Sequence, residues 1–303
     1  MLKPEINLFQ HPTTTVYIDD STAFLYSITL GVDHQPHRAF SDPFAGLDYL
    51  NQFNRVYDAS HFPTNESSDS KHQRLGPFFG QLANYKLHDE KRYAEPSVVV
   101  VDYSMPQLNG LDLCSRLTNP YIKKVLLTGV ADEKVAIKAL NTEVIDFYIN
   151  KSEPALSEEL FRIIAHLRDR YFQQIHGWTL DSRLHGNLAY LYNADFADYF
   201  EDVCEQLDIV EHYPLEQPWG LVIISRTGEK YLFLVEEGKA ASANNSIVQP
   251  ATITINEPSI SLTCSVQATN IFEDIPHFRS FKQYLDTITV TSPNNQTEMT
   301  KPR

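Results

Sequence analysis

Three acids, a threonine and a lysine stand where an α/β sheet would present them for chemistry. Asp102 follows four consecutive valines, Val98 to Val101, and precedes Met105-Pro106 and Asn109-Gly110. That run reads as a fully buried strand ending abruptly in a turn that carries a carboxylate. Asp19-Asp20 follow the strand pattern Thr14 to Ile18, Thr128 follows Lys123 to Leu127, and Lys151 follows Val144 to Ile149. In an open parallel sheet the carboxyl ends of the strands line one crevice, so these groups converge. The set suits transfer of a phosphoryl group onto a carboxylate. Asp102 supplies the nucleophilic oxygen, and a magnesium ion held by the acids screens the repulsion between two anions. The Thr128 hydroxyl donates to one phosphoryl oxygen, and Lys151 neutralises another. Taken alone, Asp19-Asp20 reads equally as a solvated turn with one acid capping a helix.

The elements that must position these groups alternate along the first half. Ser21-Thr22 can cap a helix from Ala23 to about Leu30; His37 to Ser41 reads as a second strand, and Pro43 to Asn51 as a helix started by Asp42. After the Asp102 strand come helices over about Leu111 to Leu117 and over Asp132 to Asn141, the latter with Asp132 as cap, and a long one from Ser157 to about His176. Five strands alternating with helices predict a doubly wound, flavodoxin-like parallel sheet covered on both faces. Residues 54–96 break the pattern, for roughly forty residues where a few would do. Thr64 to Arg74 is polar and Leu75 to Phe79 apolar, which leaves the insertion open as a partner or subunit contact or as a surface excursion.

These residues resemble the receiver domains of two-component response regulators over residues 14 to about 172. The matching pieces are Asp19-Asp20, the valine run into Asp102 with Met105-Pro106 and Gly110, then Thr128, and Lys151. The resemblance implies Asp102 as phosphoacceptor, Asp20 and Asp102 as direct magnesium ligands, Asp19 acting chiefly through water, and the Ser104 backbone carbonyl as a further ligand. It implies that Thr128 and Lys151 bind the phosphoryl group and that Tyr148 occupies an aromatic switch position. A sensor histidine kinase or phosphotransfer protein would be the phosphodonor, and phosphorylation would favour a homodimer. The chemistry is self-phosphotransfer rather than turnover, so no enzyme is expected. Ser152 stands where the family usually has proline.

The second half is expected to be an α+β domain with an antiparallel sheet. Asp195 is read as the cap of a helix carrying Phe196, Tyr199, Phe200, Val203 and Leu207; Ile209 to Tyr213 is a candidate strand. Hairpins are predicted around Arg226 to Glu229 and around Glu257-Pro258, and a last helix over Phe278 to Ile288. The division expected is a receiver over 1–176, with the insertion, an output domain over 177–291 starting near Gly177-Trp178, and a polar tail over 292–303. Glu237-Gly238-Lys239 resembles half of a metal-dependent nuclease site but lacks a partner acid and reads otherwise as a solvated strand end. His212 and His277, among apolar residues, read as structural histidines.

Charge narrows the output. Residues 177–303 hold 8 Lys and Arg against 17 Asp and Glu, a net of −9 out of −14 for the chain. Such a surface repels nucleic acid and anionic membrane, so a protein partner is favoured over DNA. No apolar run is long enough for a membrane span, and Cys114, Cys204 and Cys264 have no metal-binding or redox spacing, which together suggest a cytoplasmic protein. The alternatives are a phosphorylation-independent protein-binding scaffold and a receiver gating a metal-dependent hydrolase.

Overall fold

Valines at successive positions can all be buried only if both faces of their strand are covered, and that is how the first sheet is built. In the computed structural model, β1 (Thr14–Ile18), β2 (His37–Phe40), β3 (Pro96–Asp102), β4 (Lys123–Thr128) and β5 (Phe147–Asn150) form a parallel sheet in the order β2-β1-β3-β4-β5. Val99 and Val101 pack on one face with Val16, Ile18 and Leu126; Val98 and Val100 pack on the other with Tyr17, Val125 and Leu127. The helices are α1 (Thr22–Thr29), α2 (Pro43–Asn51), α3 (Gly110–Ser115), α4 (Glu133–Asn141) and α5 (Leu156–His176). This is the expected flavodoxin-like arrangement.

The structure describes residues 5–30, 32, 35–53, 83, 85–129, 133–176, 188–216, 219–238, 241–256, 259–269 and 278–290. The readings made on Thr64 to Arg74, Leu75 to Phe79, Asp132, Gly177-Trp178, Lys239, Glu257-Pro258, His277 and the tail lie outside these residues. The chain clusters into two units. One comprises Thr13–Tyr57, Tyr93–Ile175 and Ile288–Arg303; the other comprises Met1–Pro12, Asp58–Arg92 and His176–Thr287.

The second unit holds an antiparallel sheet in the order β6-β7-β8-β10-β9, from β6 (Ile209–Glu216), β7 (Trp219–Ser225), β8 (Lys230–Glu237), β9 (Ala251–Asn256) and β10 (Ser259–Ala268). Helix α6 (Ala194–Gln206) buries Phe196, Phe200 and Val203 in a core with Leu221, Ile223, Phe233 and Val266. Its cap is Asn193, whose side chain accepts from the Phe196 N–H at 2.8 Å, not Asp195, which is exposed inside the first turn. The last helix, α7 (Phe281–Val290), starts later than expected; Ser280 and Gln283 cap it reciprocally.

Segments remote in sequence complete this unit. Ile6 and Leu8 join its core, and Gln10 exchanges backbone hydrogen bonds with His212 on β6 at 3.0 and 2.9 Å. Phe9 and His11 stack with Tyr213, and Arg92 pairs with Glu211 in full burial. His212 is buried, and its ring Nε2–H donates to the Asn7 carbonyl at 2.8 Å.

Candidate functional site

The end of β3 is shaped so that Asp102 leaves the sheet beside α3. The Gly110 N–H donates to the Tyr103 carbonyl at 3.0 Å, and a Cβ on Gly110 would come within 2.4 Å of the Asp102 carbonyl oxygen. Only glycine allows that approach. The Tyr103 N–H continues the ladder to the Leu127 carbonyl, which sets the neighbouring β4 end, Thr128, against the same turn. Lys151 is placed by its own N–H, which donates to the Thr128 carbonyl at 2.9 Å.

Three strand ends therefore meet. Lys151 Nζ lies 2.6 Å from Asp19 Oδ2 and 2.9 Å from Asp102 Oδ1. Asp19 and Asp102 are 1% and 5% exposed while the Lys151 side chain is 28% exposed, so solvent screens these ion pairs only in part. Burial pushes the Asp19 carboxyl above its ordinary range, against the pull of Lys151 and the Ser21 N–H. Burial would lower the Lys151 ammonium, but hydrogen bonds to Asp19 and Asp102 outweigh it and hold the group above the usual lysine value. One oxygen each from Asp19, Asp20 and Asp102 lies within 4.8 Å of the others, with Asp20 exposed. Such carboxylate oxygens are the hard donor type that magnesium takes.

The Thr128 hydroxyl is buried at the end of β4 and has no hydrogen-bond partner among the described residues. A buried hydroxyl with no partner is a costly arrangement in the resting protein. Ser104 lies exposed in the turn after Asp102. Tyr148 is half-buried on β5, opposite Leu126, and packs against the core shared with α2 to α4. At the corner after Lys151, the Asn150 side chain accepts from both the Ser152 N–H (2.9 Å) and hydroxyl (2.8 Å), which holds the turn without a proline.

Two further contributors carry no sequence signal that ties them to this site. The Ser21 N–H donates to Asp19 Oδ1 at 2.9 Å, and the ring of Phe24, on the first turn of α1, has Lys151 Nζ 4.6 Å from its centroid. Helical spacing marks Phe24 only as an apolar position. In the second unit, Glu237 is exposed at the end of β8.

No protein-family model matches the chain. Among solved structures, the Legionella pneumophila response regulator LqsR superposes at a TM-score of 0.69 with 24% identity, over 94% of this chain and 96% of that one. A response regulator receiver domain protein of Clostridium thermocellum reaches 0.35 with 20% identity, over 52% of this chain and 95% of its own. A CheY-like receiver domain protein of Methanospirillum hungatei JF-1 reaches 0.36 with 18% identity, over 54% and 98%. Among curated proteins, the methanogenesis regulatory protein FilR1 of Methanothrix harundinacea (strain 6Ac) is 31% identical over 78 residues, which cover 23% of this chain and 18% of FilR1. The N-terminal region has the fold of a response-regulator receiver domain. No helix among the described residues is long and apolar enough to cross a membrane.

Proposed function

We propose that the chain is a two-component response regulator that accepts a phosphoryl group on Asp102 from a histidine kinase or phosphotransfer protein. The observation that carries this reading is the buried Thr128 hydroxyl, without a hydrogen-bond partner among the described residues, at the strand end bonded to Lys151, a lysine already paired with two strand-end acids. Such a site has a donor and a cation prepared for an anion.

Asp20, Asp102 and the Ser104 carbonyl would hold a magnesium ion. Both Asp19 oxygens already meet protein donors, Ser21 N–H and Lys151 Nζ, so Asp19 would reach the ion through water. The ion, when bound, screens the repulsion between the incoming phosphoryl group and the acids. An Asp102 carboxylate oxygen forms a bond to phosphorus while the bond from phosphorus to the donor breaks, its electron pair leaving on the donor. Lys151 neutralises one phosphoryl oxygen, and Thr128 donates to another. Satisfying Thr128 draws β4 into the modified state, and half-buried Tyr148, one strand away, changes its packing with it. The altered face then pairs two receivers, and the acidic second unit engages a protein rather than DNA.

The test is to incubate the full chain with acetyl phosphate and magnesium and to measure its intact mass. The mass is expected to rise by one phosphoryl group, and Asp102→Asn to abolish the gain. No gain, or an equal gain in Asp102→Asn, overturns the assignment.

A further inference from the structure

Ser21 ties together the two groups that hold Lys151 from chemically different sides. Its N–H donates to Asp19 Oδ1 at 2.9 Å, and its hydroxyl accepts from the Phe24 N–H at 3.2 Å, capping α1. Asp19 Oδ2 then meets Lys151 Nζ at 2.6 Å, and the Phe24 ring meets the same Nζ at 4.6 Å from its centroid. Asp19, Ser21, Phe24 and Lys151 thus form a closed circuit of contacts. The ring itself is half-buried against the core of Leu25, Ile28, Leu160 and Ile164.

We propose that Phe24 is a positioning residue for phosphoryl transfer: its ring face retains the Lys151 ammonium at the site while the ammonium changes its anionic partner. The proposal rests on the reading of Asp102 as phosphoacceptor. When an Asp102 oxygen bonds to phosphorus and the donor departs with the electron pair of its broken bond, that oxygen becomes the bridging oxygen of an acyl phosphate. The negative charge facing Lys151 moves outward onto the phosphoryl oxygens. A hydrogen bond is directional and is lost during such a move, whereas attraction to the face of an aromatic ring varies slowly across that face. The ring therefore keeps the cation close without competing for any particular N–H.

Leucine preserves the apolar contacts of α1 but has no ring face, and tyrosine keeps both. In the full chain, Phe24→Leu is expected to slow phosphorylation by acetyl phosphate and magnesium by about two- to five-fold. Phe24→Tyr is expected to restore the wild-type rate. A Phe24→Leu rate equal to wild type overturns the proposal, as does a Phe24→Tyr rate as low as that of leucine, which would assign the effect to packing. Proton NMR separates this outcome from failure of the phosphoacceptor reading. If wild type takes up no phosphoryl group, that reading falls. The Lys151 ε-proton resonance still reports the contact: it should lie upfield in wild type and Phe24→Tyr and move downfield in Phe24→Leu. An unmoved resonance overturns the contact and the proposal with it.

Discussion

Arg92 and Glu211, 119 positions apart, form a two-point ion pair in which neither side chain reaches solvent: Nε meets Oε2 at 2.9 Å and Nη2 meets Oε1 at 3.1 Å. The Tyr213 hydroxyl also donates to Glu211, at 2.8 Å, and Arg92 Nη2 to the Arg279 carbonyl, at 2.7 Å. A buried pair of this kind adds little net stability over an apolar replacement, yet breaking it strands a charge. Glu211→Gln should therefore destabilise the antiparallel-sheet unit by about 3 to 5 kcal/mol. The double change Arg92→Met with Glu211→Leu should recover only part of that loss, because the Tyr213 hydroxyl and the Arg279 carbonyl each lose a hydrogen bond. Urea unfolding read by tryptophan fluorescence checks this, since Trp178 and Trp219 both fall within His176–Thr287.

Burial lowers the His212 imidazole from 6.5 to about 4, its bond to the Asn7 carbonyl opposing the shift only in part. The folded value lies below the unfolded one, so as pH falls the unfolded chain binds the extra proton first. The contribution is complete above about pH 6.5, is lost as pH falls toward about 4, and is constant below that, a change on the order of 3 kcal/mol. His212→Gln should remove this part of the pH dependence. Urea midpoints of the two proteins at pH 7.5 and pH 5 would show it.

Among the described residues the Thr128 hydroxyl has no hydrogen-bond partner to lose. Thr128→Val replaces an unpaired buried polar atom with a methyl group of similar size, so stability should stay level or rise slightly. Phosphorylation should slow by at least about ten-fold if one charge-assisted hydrogen bond to the phosphoryl group is lost, and Thr128→Ser should retain most of the rate. Thermal melting and the mass assay on the same preparations separate the two effects.

Gly110→Ala forces a Cβ to 2.4 Å from the Asp102 carbonyl oxygen and 2.9 Å from Leu126 Cδ1. Backbone cannot yield as a flexible side chain can, so the parallel-sheet unit should lose about 1 to 3 kcal/mol. Asp102 moves with its carbonyl, so phosphorylation should fall as well. A melting temperature equal to wild type would show that α3 shifts freely.

The strand ends were legible because burial on two faces and a turn both leave local marks, as in the valine run before Asp102 and the hairpin at Arg226 to Glu229. Helix α2 likewise has a proline start that sequence can read. Ile145 was misleading: it is 2% exposed, but Glu143 turns the chain at φ 58°, and β5 begins only at Phe147. Asn193 and Asp195 are both good caps, and only the backbone decides between them. The pairings of Gln10 with His212 and of Arg92 with Glu211 left no mark, because a contact between distant segments imposes no period on either. Phe24 was hidden for a related reason: an aromatic residue over a cation looks, in sequence, like any apolar residue of a helix.

The route of the backbone carries a consequence for how this protein can change over generations. The chain passes from one unit to the other after residues 12, 57, 92, 175 and 287. A crossover at residue 176 that exchanged one half for that of another protein would part Gln10 from His212 and Arg92 from Glu211. Point substitutions within either unit leave these pairings intact, whereas an exchange of halves has to supply new partners for both.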